Sequence, residues 1–243
     1  MDLKIKDVAE LLNVSETTIR RWLSEGKIPA YRLHHQYRFS RIEIENWMMS
    51  CRLKKESENF LPSEEVQIYP AKDQKKNEEQ EGKKGMQQFS LYRAVHRGGV
   101  FSNLHANSKE AIIRETMEAV SEDLGLDPAV ISELLMDREK LMPTALNNGI
   151  AVPHTRDFLL KGTTDVIVVV FPKKPIEWGA LDDNPVHTLF FLFACDDKRH
   201  LHLLAKLAHL SSNDEALELL RSKPSKKDLL DYIKERESQS SVK

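Results

Sequence analysis

Cysteine is scarce in this 243-residue chain. Only Cys51 and Cys195 are present, far apart and neither in a Cys-x-x-Cys spacing. That excludes a disulfide framework and a zinc cluster, and it fits a reducing compartment. Long apolar runs are lacking too. The longest, Leu189 to Cys195, is far below the ~20 residues that a membrane helix needs. The opening MDLKIKDVAE is charged where a signal peptide would be apolar. A soluble cytoplasmic protein without membrane association is expected. Net charge is nearly absent as well: 36 Lys and Arg against 38 Asp and Glu leave −2. This excludes a chain that coats nucleic acid over its whole surface, but it permits a local basic face. There is no internal repeat.

What is present falls into three zones, with the domain boundaries expected at 1–53, 54–88, 89–236 and a tail at 237–243. Met1 to Leu53 carries nine Lys and Arg against seven Asp and Glu, or +2, with His34 and His35 in addition. Lys54 to Gln88 is dominated by Lys, Glu, Gln and Asn (KDQKKNEEQEGKK). Such a segment buries too little apolar area to offset its ordering entropy, so a flexible linker is expected. Phe89 to Arg236 alternates helix-like and strand-like segments.

In the first zone, Val8, Leu11 and Leu12 share one face of a short helix over Lys6 to Leu12. Ser15 is a suitable N-cap for a second helix, Glu16 to Glu25, which Gly26 ends in a left-handed conformation. Ile19, Trp22 and Leu23 form its apolar stripe. Thr17, Thr18, Arg20 and Arg21 lie largely opposite, free to enter a major groove. YRLHHQYRFS reads as a hairpin, Tyr31 to Leu33 against Tyr37 to Phe39 across His34-His35-Gln36. Its Arg32 and Arg38 would flank a phosphate backbone, with Tyr37 beside them. Ser40 and Glu43 have capping-box spacing for a third helix from Arg41 to about Arg52. Ile42, Ile44, Trp47 and Met48 are expected to close the core.

The stretch KDVAELLNVSETTIRRWLSEGKIPAYRLHHQYRFSRIEIENWM resembles the excisionase-type, MerR-like winged helix-turn-helix. The resemblance implies a double-stranded DNA reader whose contact candidates are Thr17, Thr18, Arg20, Arg21, Arg32, His35, Tyr37 and Arg38. The modest charge favours weak monomeric binding that falls steeply with salt. Useful specificity calls for a homodimer on two half-sites.

In the third zone, Ser108 caps an amphipathic helix to Leu124, and Pro128 to Met136 forms another with proline in its first turn. Ile150 to Val152 is a short strand, and Pro153 stiffens the step to His154. Asp165 to Phe171 and Val186 to Cys195 are continuous apolar runs, as in strands covered on both faces. Helices follow at Arg199 to Leu210, Asp214 to Leu220 and Ser225 to Lys234, giving an α/β layer architecture. His154 is the candidate nucleophile: an imidazole with one nitrogen exposed and the other held in a fixed tautomer. His200 and His202 are about 200° apart on a helix, so only one can face His154. The apolar neighbours Leu204 and Leu207 select His200, which also sits in a helix's first turn where free N–H groups favour an anion. Arg138 adds a cation from a separate helix end. That company suits transient binding of a phosphoryl group. His96 and His105 are expected in loops or short segments, His187 packed in or at the edge of a strand, and His202 and His209 toward solvent. Trp178 reads as a hydrophobic plug.

REKLMPTALNNGIAVPHTR and PIEWGALDDNPVHTLFFLFACDDKRHLHLLAKLA resemble the enzyme IIA domain of the phosphotransferase system, in its fructose–mannitol and nitrogen-regulatory class. The first carries the signature R-E-x-x-x-x-T-x-x-x-x-G-[IV]-A-[IV]-P-H. The resemblance implies that His154 takes a phosphoryl group from an HPr-like phosphocarrier, that His200 orients it and that Arg138 neutralises it. It implies no cofactor beyond the phosphoryl group carried on histidine, and no metal. Where the family often has T-G-I-G, this chain has Thr144-Ala145-Leu146-Asn147, so a reshaped loop is expected. The fold expected is therefore a two-domain α+β/α-β chain: a small winged helix-turn-helix plus an α/β layered IIA-type domain, its mixed central sheet flanked by helices.

The function expected is a phosphorylation-responsive regulator. Phosphate on His154, bound through the ring nitrogen facing solvent, alters a contact with the front domain or a protein target and so biases DNA binding. It requires the His154 ring to be reachable. No sequence feature shows that the two domains touch. The alternatives are a relay passing phosphate to a sugar-transport IIB domain, and a regulator that acts by docking without phosphoryl transfer.

Overall fold

A computed structural model describes residues 2–12, 14–33, 36–50, 89–155, 157–160 and 164–239. The expected linker at 54–88 and the candidate His35 lie outside these residues.

In the front part, β1 (Asp2–Leu3), α1 (Ile5–Leu12), α2 (Glu16–Ser24), β2 (Tyr31–Leu33), β3 (Gln36–Ser40) and α3 (Arg41–Ser50) follow in order. The Ser15 hydroxyl accepts from Thr18 N, capping α2. Gly26, at φ +65°, turns the chain out of it. The hairpin pairs Tyr31 with Arg38, Arg32 with Tyr37 and Leu33 with Gln36. Gln36 is thus a strand residue where a loop position was expected. β1 adds a third strand to this wing, in the order β1-β3-β2. Ile19, Trp22, Phe39 and Ile44 are buried at the centre, and the Trp22 and Trp47 rings lie 5.8 Å apart. One core expectation fails: Ile42 is 43% exposed. The helix begins at Arg41, and Ile44 and Met48, four apart, already fill the inward face.

The back part contains α4 (Ser90–Gly98), β4 (Val100–Leu104), α5 (Lys109–Leu124), α6 (Pro128–Leu141), β5 (Ala145–Leu146), β6 (Ile150–Ala151), β7 (Val166–Pro172), β8 (Thr188–Phe193), α7 (Asp197–Leu210), α8 (Asp214–Arg221) and α9 (Lys226–Gln239). The sheet order is β4-β7-β8-β6-β5. β4–β7 and β6–β8 are parallel, and the other pairs antiparallel. Every residue of β7 and β8 is buried. Because side chains alternate along a strand, Ile167, Val169 and Phe171 pack on the side of α4, α7, α8 and α9. Val166, Val168 and Val170 pack with α5 and α6. The result is a mixed sheet between two helical layers.

The sequence reading did not foresee α4 or β4, and His96 lies in α4 where a loop or short segment was expected. The start of α4 is held by a distant residue: Leu91 N and Tyr92 N donate to the Glu237 carboxylate at 3.2 and 3.0 Å. That anchor lies in α9, which runs to Gln239, past the helix end expected at Lys234. His202 is half-buried, its Nε2 3.2 Å from Ser90 Oγ, so it does not face solvent as expected; His209 does.

The two parts touch. α1 and α3 pack against α7. Buried residues of the front part join those of the α4/α7/α9 layer in one contiguous hydrophobic cluster. Around it, Arg41 pairs with Asp197 at 2.6 Å and Lys198 with Glu10 at 2.9 Å.

Candidate functional site

The signature segment folds as a locked loop followed by a hairpin. Glu139, buried at the end of α6, accepts from Thr144 N at 3.2 Å and pairs with the Thr144 hydroxyl. Arg138 Nη1 donates to Met142 O at 2.9 Å. β5 then turns into β6 through Asn148 and Gly149, both at positive φ. Gly149 is required there, because a Cβ would lie 2.6 Å from His187 Cδ2 and 2.9 Å from Pro185 O. The chain leaves β6 still beside β8: Leu192 N donates to Pro153 O at 2.9 Å, and His154 bridges Leu192. Val152 belongs to the α7-facing layer. With a period of two, His154 takes the same face as Val152, toward α7.

α7 supplies His200. The Asp196 side chain caps this helix through Arg199 N, and His200 follows in its first turn. The His154 and His200 rings meet edge-on with centroids 4.9 Å apart. Arg138 reaches the same point from the end of α6. All three predicted residues are therefore brought together.

The centre of the cluster is a fourth residue that the sequence reading did not single out, Glu45 of α3. Its Oε1 accepts from Arg138 Nη2 at 2.7 Å and from Arg138 Nε at 3.3 Å, and lies 2.7 Å from His154 Nε2. Its Oε2 is 3.6 Å from His200 Nε2, beyond hydrogen-bond reach, and that nitrogen has no hydrogen-bond partner. His154 is consequently 1% exposed and Glu45 3%. The expectation of a reachable ring is not met in this arrangement, because the front domain's carboxylate fills the opening. A signal for Glu45 does exist in the sequence. At about 100° per residue, Ile44, Trp47 and Met48 form one stripe and Glu45 stands about 60° from Met48 at its edge, so it borders the covered face.

The protons follow from the partners. Val152 O, 2.7 Å from His154 Nδ1, can only accept, so Nδ1 carries a hydrogen. Nε2 faces a carboxylate oxygen at 2.7 Å, so one more proton lies between them. Burial pushes the Glu45 carboxyl up. The hydrogen bond from His154, with the attraction of the His154 and His200 rings, outweighs that and holds it well below the usual carboxylate range. Burial pushes His200 down to about 4, against the opposing pull of Glu45.

Glu45, His154 and His200 place three ligand-type atoms within 4.8 Å of one another. The Arg138 guanidinium on the same carboxylate oxygen, however, makes the surroundings cationic. With Glu45 withdrawn, two imidazoles and a guanidinium would converge on an anion.

The DNA-contact candidates form two groups. On α2, Thr17, Arg20 and Arg21 are exposed, and Thr18 is half-buried with its hydroxyl 2.9 Å from Ser15 Oγ. On the hairpin, Arg32 and Tyr37 are exposed, the guanidinium 5.5 Å from the ring centroid. Arg38 is half-buried and donates to Gln36 Oε1 at 2.8 Å. The surface that packs on α7 comes from α1 and α3, so the faces of α2 and the wing stay open.

Residues 94–236 match the family model of the phosphoenolpyruvate-dependent sugar phosphotransferase system, EIIA 2, and residues 3–52 match a helix-turn-helix domain. The nitrogen regulatory protein of Escherichia coli (strain K12) is 33% identical over 152 residues, covering 61% of this chain and 92% of that one. The multiphosphoryl transfer protein of Escherichia coli O157:H7 is 36% identical over 121 residues, 48% of this chain and 30% of that one. Among solved structures, the nitrogen regulatory protein IIA-Ntr from Neisseria meningitidis superposes with a TM-score of 0.51 at 27% identity, covering 56% of this chain and 93% of that one. No helix among the described residues is long and apolar enough to cross a membrane.

Proposed function

The chain belongs to the EIIA 2 family of the phosphoenolpyruvate-dependent sugar phosphotransferase system, with a helix-turn-helix domain in front, and from that premise we propose that it is a regulator whose His154 accepts a phosphoryl group from an HPr-like phosphocarrier and whose DNA binding responds. The observation that carries this reading is the fixed His154 ring. Nδ1 is tied to Val152 O, which leaves Nε2 as the nucleophile, aimed at the place where Arg138 and His200 converge.

In the transfer, the Nε2 lone pair attacks the phosphorus of the donor's phosphohistidine. A new N–P bond forms as the donor's N–P bond breaks, and its electron pair returns to the donor ring. The Arg138 guanidinium holds an equatorial oxygen and offsets the charge. His200 Nε2, buried without a hydrogen-bond partner, donates to another when that nitrogen carries the hydrogen. Electrostatic stabilisation of this kind, with positioning, supplies nearly all of the catalysis in phosphoryl transfer.

The front domain supports the second half of the reading. Thr17, Arg20 and Arg21 on α2 and Arg32 and Tyr37 on the wing are exposed, in the arrangement by which a helix-turn-helix approaches a groove. Incubation with phosphoenolpyruvate, enzyme I and HPr should place acid-labile phosphate on His154 and none on a His154→Ala chain. A DNA shift assay at fixed salt, with and without that phosphate, tests the coupling; identical affinities would refute it.

A further inference from the structure

We propose that Glu45 is a built-in stand-in for the phosphoryl group: it plugs the acceptor site with the front domain attached, so that docking of that domain and phosphorylation of His154 exclude one another. This rests on the reading of His154 as acceptor given above.

Three observations carry it. First, one Glu45 oxygen takes Arg138 Nη2 and His154 Nε2 together, each at 2.7 Å, with His200 Nε2 at 3.6 Å from the other oxygen. These are the groups assigned above to phosphate, so the carboxylate sits where phosphoryl oxygens would. Second, phosphorus bonded to Nε2 would have to occupy the space that Glu45 Oε1 holds. Any remaining contact would set a group of about −1.5 to −2 charge against a carboxylate. Third, the proton between Nε2 and Oε1 engages the lone pair that the transfer needs. The docked site is thus closed sterically, electrostatically and chemically at once.

The plug is delivered by a formed interface. Arg41 and Glu45 stand one helical turn apart on α3. Arg41 pairs with Asp197 at the start of α7 and lies over the Phe158 ring, 4.8 Å from its centroid. Lys198 meets Glu10, and the hydrophobic cluster runs through the junction. Residues 51–88 tie the two parts covalently, so docking is an intramolecular event with a high effective concentration. By linkage, whatever factor docking takes from the phosphorylation equilibrium, phosphorylation takes from docking. The α2 and wing surfaces remain exposed in the docked form. The plug therefore governs how rigidly the DNA-facing surface is carried and whether a phosphocarrier finds the acceptor, and it does not cover the recognition helix.

The test uses the full chain in four forms: wild type, Glu45→Ala, Arg41→Asp, and Arg41→Asp combined with Asp197→Arg. Hydrogen exchange without any phosphoryl donor reports docking. Both single variants should raise exchange at Val152 and His154 about tenfold or more while α2 keeps its protection, and the charge swap should restore the wild-type pattern. Transfer from phosphorylated HPr should then run about tenfold faster on Glu45→Ala and Arg41→Asp than on wild type. Phosphorylated wild type should exchange like Glu45→Ala. Unchanged exchange in both single variants, or equal transfer rates despite release, overturns the plug and leaves His154 as acceptor. Absence of phosphate on His154 in every form overturns the acceptor reading and the plug with it.

Discussion

Glu45 and His154 are 109 positions apart in sequence, and their side chains meet at 2.7 Å in a buried contact. The other ring nitrogen already donates to Val152 O. The imidazole of the docked chain therefore has a hydrogen on or beside each nitrogen. Glu45→Ala removes the acceptor opposite Nε2. Nitrogen-15 NMR of the imidazole should then show two N–H-like nitrogens for wild-type His154, and in Glu45→Ala one N–H nitrogen with a free lone pair at Nε2. Identical ring spectra in the two chains would contradict the shared proton.

His200 predicts an acid sensitivity of defined sign. Its ring is held at about 4 in the folded chain, against 6.5 ordinarily, with burial the largest cause. Glu45 opposes the shift, while His154 and Arg41 add to it. Between those values the unfolded chain binds more protons than the folded one, so stability rises with pH there. The contribution is complete above 6.5 and is lost as the pH falls toward 4. The span corresponds to roughly 3 kcal/mol, on the order of 6–12 °C in melting temperature for a domain of this size. Glu45 is held below its ordinary 4.5, so its own contribution, present above 4.5, fades only in more acid solution. Thermal melts from pH 7 to 4 should show a smaller decline for His200→Gln than for wild type. Parallel declines would remove His200 as the cause.

Much of the back domain was legible because its signals are local. The apolar runs of β7 and β8 announce strands covered twice, and Ser108, Asp127 and Pro128 mark helix starts. The grouping of Arg138, His154 and His200 was legible as well, since a strand end, a helix end and a helix start supply them. α4 and β4 were missed. The start of α4 relies on the Glu237 carboxylate, 146 positions away; no side-chain cap precedes it, and Phe89 stands there at φ 59°. Glu45 was missed for a related reason. A single carboxylate on a short helix reads as solvated unless its partners are known, and all three partners lie in the other domain. Ile42 was assigned inward from its apolarity alone, although its helical position turns it out.

Gly149 is the position where the aim of His154, the proposed acceptor, depends on a missing side chain. It sits at φ +75° against His187 and Pro185, in the turn that sets the register of β5 on β6. Gly149→Ala should pay for a left-handed alanine and for displacing the His187 ring, about 3 kcal/mol together. The hairpin would shift, moving His154 off its line to Arg138 and His200. Chemical denaturation should report the lost stability. Phosphate uptake from HPr, measured where the variant is still folded, should fall about tenfold or more. A variant as stable and as fast as wild type would show that the turn does not set the acceptor's position.

Arg20 and Arg21 bear on whether the front domain reads DNA or only docks. Both are exposed on α2, away from the α1 and α3 surface that packs on α7. Replacing them should therefore leave docking, and phosphate uptake by His154, unchanged. Each arginine that meets a DNA phosphate releases about one counterion, so its loss should lower the slope of log affinity against log salt by about 0.9. An arginine that meets a base edge should instead cost about 1–3 kcal/mol at one position of the site and leave the salt slope nearly intact. Titrations of Arg20→Ala and Arg21→Ala at several salt concentrations distinguish the two roles, on a site selected from random duplexes with the unphosphorylated chain. Arg32→Ala, on the wing, should act through the salt slope if its guanidinium meets phosphate, as the hairpin's expected role requires. If all three variants bind duplex DNA as wild type does at every salt concentration, the open face of α2 serves a protein partner, and the helix-turn-helix acts in this chain as the carrier of Glu45.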